Sequence, residues 1–206
     1  MVAYGYSLFV ALASIRPHYV QADPGDAVGH ARMQCERVAR QVGGAAANPI
    51  SPSPSAIGLY NDGRACLREL MRRGVASTHM ILFGHSLGSG VAVQMAEEFQ
   101  VGGLMLLAPY LSIPKLARIS FPFFPSSLLA LDRFENEKKI GKIHAPVLIA
   151  NGDEDRVIPP LQGNRLFALA NQPKEFHSLP GRGHNDAFGQ FTTLSIDWMG
   201  RACNPN

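Results

Sequence analysis

The stretch Met80 to Gly90, MILFGHSLGSG, restricts the fold of this chain more than any other segment. Ile81, Leu82 and Phe83 follow one another between turn residues, which predicts a short strand buried on both faces. From Leu87 to Gln100 the apolar spacing becomes helical, through Val91, Met95 and Phe99. Ser86 therefore sits at an abrupt strand-to-helix turn, with glycines at 84 and 88 to let the two elements approach. Such a turn pushes a serine oxygen out beyond the sheet. The amide of the next residue, Leu87, lies at the helix N-terminus and is a candidate oxyanion donor. By itself the G-x-S-x-G pattern is weak, since composition alone produces it in roughly one chain of this size in fifteen. A glycine-rich turn that merely contains serine is the plainer alternative.

The downstream sequence adds what a serine nucleophile needs. Gly103 to Pro109 (GLMLLAP) and Pro146 to Ala150 (PVLIA) read as further buried strands, and Lys174 to Leu179 as another. Between them, Pro160 to Ala170 reads as a helix, and a last helix is expected from about Asp186 to Arg201, with Phe191, Leu194, Ser195 and Trp198 on one side. Upstream, Ala56 to Arg73 reads as a helix with Ser55 as N-cap, Gly74 as its stop, and Leu59, Gly63, Cys66, Leu67, Leu70 and Met71 on one face. Strands alternating with helices imply a parallel α/β sheet, whose chemistry lies in the loops after the strands' C-terminal ends. One such loop is Asn151-Gly152-Asp153-Glu154-Asp155-Arg156, and another is Gly181-Arg182-Gly183-His184-Asn185-Asp186. A serine hydroxyl needs an imidazole to take its proton, and the imidazole needs a carboxylate to fix its tautomer. Asp153, Glu154 and Asp155 are all available as that carboxylate.

From about Ala56 to Trp198 the chain resembles the α/β-hydrolase-fold serine hydrolases, and in particular the α/β-hydrolase-domain branch that includes protein depalmitoylases. GHSLG matches the nucleophile turn, GDEDRVIP the acid loop and GRGHND the histidine loop, in the order Ser, acid, His. The Ser53 to Asp62 segment, with Gly58-Leu59-Tyr60 and Asp62, is similar to what precedes the nucleophile strand in this branch. The resemblance implies an α/β-hydrolase fold, a mostly parallel sheet with helices on both faces. It implies Ser86 as nucleophile, His184 as base, Asp155 as the acid and Leu87 as an oxyanion amide, with no cofactor or metal. The implied reaction is hydrolysis of a carboxylic ester or acyl thioester. His85 is expected to face the sheet or a side pocket, and Asp186 to cap the last helix. The 111–134 region sits where this fold commonly carries a lid. Phe121, Phe123, Phe124 and Leu128, with Leu129, are expected to line a hydrocarbon groove or touch a membrane peripherally, with ordinary lid packing as the alternative.

The first 50 residues depart from the resemblance. Ser7 to Ala13 reads as a strand and Asp26 to Gln41 as an amphipathic helix. No His-Gly pair precedes Ser53, so the loop that supplies the branch's second oxyanion amide is not recognisable. Residues 1–50 are therefore expected to form a divergent or incomplete N-terminal segment before a core at 51–206, with N-terminal strands missing or altered. If these residues do not rebuild the missing strands, the sheet is expected to lack its usual neighbours beside the Ser86 strand. A catalytically impaired or non-catalytic α/β-hydrolase-like protein is the alternative function. At 206 residues and 46% hydrophobic, the chain is long enough for one buried domain. A net charge of +3 with scattered Lys and Arg argues against a nucleic-acid partner. Three cysteines without metal spacing, and no clear leader, suggest a reducing compartment and a cytoplasmic protein, with one secreted disulfide as the alternative. The resemblance implies a small or lipid-like acyl substrate.

Overall fold

A computed structural model describes residues 8–12, 55–120 and 132–202. Residues 13–54 and 121–131 fall outside that description, and with them the expected Asp26–Gln41 helix and the candidate groove residues Phe121, Phe123, Phe124, Leu128 and Leu129. The described elements are β1 (Leu8–Leu12), α1 (Ala56–Arg72), β2 (Met80–His85), α2 (Gly88–Glu98), β3 (Gly103–Leu107), α3 (Ile113–Ser120), β4 (Val147–Gly152), α4 (Pro160–Leu169), β5 (Lys174–Leu179) and α5 (Phe188–Ala202).

The strands form one sheet in the order β1-β2-β3-β4-β5. The pairs from β2 to β5 are parallel, with Leu82 opposite Leu104, Leu104 opposite Val147, and Val147 opposite Lys174. β1 runs antiparallel to β2, pairing Leu8 with Gly84 and Leu12 with Met80. The strand expected over Ser7 to Ala13 is thus present beside the Ser86 strand, and it runs in the opposite direction to the rest.

Strands β2, β3 and β4 are buried along their whole length. Alternate residues supply two separate core layers, as the two-residue period of a strand demands. Leu82, Leu104, Leu106, Val147 and Ile149 face a core shared with Leu67 and Leu70 of α1, Met95 of α2 and Leu166 of α4. Ile81, Phe83, Met105, Leu107 and Leu148 face Phe191 and Trp198 of α5 on the other side. Gly103 makes room for that helix, since a Cβ there would lie 2.9 Å from the Trp198 ring.

Helix α1 starts where the Ser55 hydroxyl accepts from the Gly58 amide at 3.1 Å, which satisfies one of the first-turn donors. Its buried face carries Gly63, Cys66, Leu67 and Leu70. Met71, expected on that face, is exposed. The Arg64 guanidinium grips Glu98 of α2 with two bonds of 2.6 Å. The 111–134 region after β3 opens with α3. No helix among the described residues is long and apolar enough to cross a membrane.

Candidate active site

Ser86 stands between β2 and α2 with φ 53°, in the left-handed region that costs a non-glycine residue of order 1–3 kcal/mol. The surroundings hold it there. Its amide donates to the Leu107 carbonyl at 3.1 Å, and its own carbonyl accepts from the Ser89 amide at 3.0 Å and hydroxyl at 2.7 Å. Gly84 is required because a Cβ would lie 2.6 Å from Ser89 Cα and 2.7 Å from the Gly88 carbonyl. The helix thus starts almost on top of the strand, and the serine side chain is turned out at the sheet's C-terminal edge. Leu87 is the N-cap of α2, and its carbonyl accepts from the buried Tyr110 hydroxyl at 3.3 Å. Burial pushes that phenol well above its ordinary pKa, so it stays a neutral donor.

The other two groups come from the loops after β4 and β5. Of the three acids after β4, Asp153 and Glu154 are exposed while Asp155 is buried. Asp155 Oδ1 accepts from the Val157 and Ile158 amides, both at 2.8 Å, which fixes the carboxylate plane. Its Oδ2 lies 2.7 Å from His184 Nδ1, and His184 Nε2 lies 2.9 Å from Ser86 Oγ. A carboxylate only accepts, so Nδ1 carries the proton and Nε2 is left to accept from the serine hydroxyl. The three residues expected from sequence thus meet in one hydrogen-bonded chain, and Asp155 is the acid that His184 reaches.

The two loops are locked together. Glu154 donates its amide to the Arg182 carbonyl at 3.0 Å, and Asp153 Oδ1 accepts from the Gly181 amide at 2.8 Å. A Cβ on Gly152 would run into the Arg182 carbonyl. Asp186 does not cap the last helix as expected, since α5 begins at Phe188. Its Oδ1 instead accepts from the Gly183 amide at 2.7 Å, closing the histidine loop on itself.

His85 makes contacts that the sequence reading did not specify. Its ring packs 5.0 Å from that of His184 and 4.7 Å from that of Phe188, and its Nε2 lies 3.2 Å from the His184 carbonyl. Burial, and then the nearby His184 ring, hold its pKa below the usual 6.5. Among the described residues no group of three or more His, Cys, Asp or Glu side chains is placed to hold a metal ion.

Several solved structures share this arrangement of strands. Est1E from Butyrivibrio proteoclasticus superposes with a TM-score of 0.58 at 18% identity, over 73% of this chain and 71% of its own. The esterase domain of a Rhodothermus marinus protein superposes with a TM-score of 0.56 at 20% identity, over 69% and 68%. The chain has the α/β-hydrolase fold. No family model matches it. The α/β-hydrolase sequence is similar to an uncharacterised protein of Mycobacterium tuberculosis, 36% identical over 140 residues, or 68% of this chain and 49% of that protein. Human α/β-hydrolase domain-containing protein 17B is 34% identical over 144 residues, again 68% of this chain and 49% of the relative. Protein bem46 of Schizosaccharomyces pombe is 33% identical over 141 residues, 65% and 47%. This α/β-hydrolase chain therefore spans about half the length of the curated relatives it matches.

Proposed function

We propose that this α/β-hydrolase is a serine hydrolase that cleaves a carboxylic ester or acyl thioester through an acyl-enzyme on Ser86. The observation that carries the reading is the continuous hydrogen-bonded chain from buried Asp155 through His184 to Ser86 Oγ, on a serine held at positive φ.

Ser86 Oγ attacks the acyl carbonyl carbon while its proton passes to His184 Nε2. Asp155 stabilises the imidazolium through the Nδ1–H bond and keeps that proton in place. The carbonyl oxygen becomes an oxyanion, and the Leu87 amide at the start of α2 donates to it. Collapse of the tetrahedral species breaks the bond to the alcohol or thiol, which leaves with the proton from His184. Water then enters, gives a proton to His184, and attacks the acyl carbon. Breakdown returns the carboxylic acid and a neutral Ser86. The reading needs no cofactor or metal. An acyl rather than a charged substrate is supported by the apolar run Phe121, Phe123, Phe124 and Leu128 in the sequence after α3.

The alternative, an α/β-hydrolase-like protein without catalysis, draws on the unrecognised second oxyanion loop. The two readings separate on labelling with a fluorophosphonate, which reacts rapidly only with an activated serine. The full chain is expected to label, and Ser86→Ala to abolish the label. Failure of the folded native chain to label would overturn the hydrolase reading.

A further inference from the structure

We propose that His85 is a positioning residue that ties the histidine loop to the nucleophile turn, and that its Nε2–H bond to the His184 carbonyl sets the His184 ring against Ser86. The inference rests on the reading of Ser86 as nucleophile and His184 as base, and adds to it a residue that touches neither substrate nor transferred proton.

The geometry leads there from three sides. First, His85 and Ser86 are consecutive, so one strand end presents two points to the same loop: Ser86 Oγ to the His184 ring at 2.9 Å, and His85 Nε2 to the His184 carbonyl at 3.2 Å. A residue held at both its backbone and its ring tip has little freedom to swing. Second, the backbone anchors of this loop run to the β4 side or within the loop itself: Glu154 to Arg182, Gly181 to Asp153, and Gly183 to Asp186. They place His184 relative to Asp155. The His85 bond places it relative to the serine, across the two intervening strands β3 and β4. Third, the carbonyl can only accept, so His85 Nε2 must carry a proton. His85 is buried and wedged between the His184 and Phe188 rings, which fixes its own plane before it fixes anything else.

Neutrality of His85 matters as well as its donor. A second cation 5.0 Å from the His184 ring would oppose the imidazolium that acyl transfer requires. The groups that face His85 are His184 from the loop after β5 and Asp155 from the loop after β4, with the uncharged Phe188 from α5. Burial and the His184 ring together keep it uncharged.

The test separates the donor from the ring. His85→Gln keeps an N–H donor at about the distance of Nε2, His85→Phe keeps a flat ring without a donor, and His85→Asn keeps an amide that falls short. In full-length protein, His85→Phe is expected to slow fluorophosphonate labelling and kcat about tenfold with KM little changed. His85→Gln is expected to return both to within about threefold of the native rate. The downfield proton resonance of His184 Nδ1 is read alongside by NMR, since it reports the ring's seat on Asp155 whether or not the serine turns over. It should persist in His85→Gln and broaden or vanish in His85→Phe. If His85→Phe does not fold, the same contrast is read between His85→Gln and His85→Asn. Equal labelling rates and equal Nδ1 resonances in the donor and non-donor variants would overturn the proposal. Loss in His85→Gln as deep as in His85→Phe would overturn it too. A native chain that shows the Nδ1 resonance but never labels would instead count against the hydrolase reading, and the resonance contrast would still decide the positioning role.

Discussion

Replacing Asp155 by Asn isolates what the buried acid does. The carboxylate has two distinct oxygens: Oδ1 takes two amides at 2.8 Å, from Val157 and Ile158, and Oδ2 takes His184 Nδ1–H at 2.7 Å. Asn can place its oxygen at only one of these. With oxygen at Oδ1, both amide bonds survive and the NH2 group faces His184 Nδ1. The reverse orientation leaves two amide donors, the Ile158 one buried, facing a third, at about 1–3 kcal/mol for a buried donor left unpaired. The first orientation therefore wins. It forces His184 to accept at Nδ1 and carry its proton on Nε2, pointing at Ser86 Oγ. The serine proton then has no acceptor. A triad amide of this kind lowers kcat about 10⁴-fold, equivalent to about 5 kcal/mol of barrier. The fold should hold, because both amide bonds remain. The assay is ester turnover with fluorophosphonate labelling, and a urea melt to check folding. Asp153→Asn and Glu154→Gln are the controls, being exposed neighbours in the same loop. If Asp155→Asn retained more than a tenth of native activity, or Asp153→Asn fell as far, the tautomer reasoning would be refuted.

Gly84→Ala should destabilise the fold by about 1–3 kcal/mol and depress labelling with it, because the new methyl meets Ser89 Cα and the Gly88 carbonyl, backbone atoms that can yield only by moving α2. An unchanged urea midpoint would mean that strand and helix are less tightly apposed than described. His85 gives a signature in pH: burial and the His184 ring hold its folded pKa below 6.5, so between about 6.5 and that lower value the unfolded chain binds a proton that the folded chain refuses. Its contribution to stability is complete above about 6.5 and declines as pH falls through that window. Melts of native protein and His85→Gln from pH 7 to pH 5 should show the steeper loss in the native chain, and parallel slopes would exclude it.

The central part of this fold was legible because its signals are local. β2, β3 and β4 are unbroken apolar runs ended by turn residues, and burial on both faces leaves such strands no other composition. The acid was legible only through the resemblance, since three carboxylates lie within three positions and only their amide neighbours distinguish them. Other features depended on distance along the chain. The His85 contact joins residues 99 apart, and nothing around His85 in sequence indicates its partner. Asp186 had two local options, forward to a helix or back to Gly183, and an Asp next to a glycine-rich turn does not disclose which. The direction of β1 was not legible either, because five apolar residues pair equally well both ways. An oxyanion amide has no side chain of its own, so only a His-Gly pair before Ser53 would have marked a second donor, and the sequence has none there.

Strand β3 contributes no side chain to the Asp155–His184–Ser86 chain, yet it stands between the strand that ends in the serine turn and the one that leads to the acid. Its last carbonyl, on Leu107, receives the Ser86 amide, and the Ala108 amide just beyond reaches Ala150 on β4. The ladder pairs Ile81 with Gly103, Leu104 with Val147, and Val147 with Lys174, all across crossovers that close slowly in folding. The reacting groups therefore come within reach of one another only after every parallel pairing has formed. In a refolding experiment, labelling of Ser86 becomes a clock for the completion of the sheet, lagging behind recovery of helical signal and arriving with the last strand.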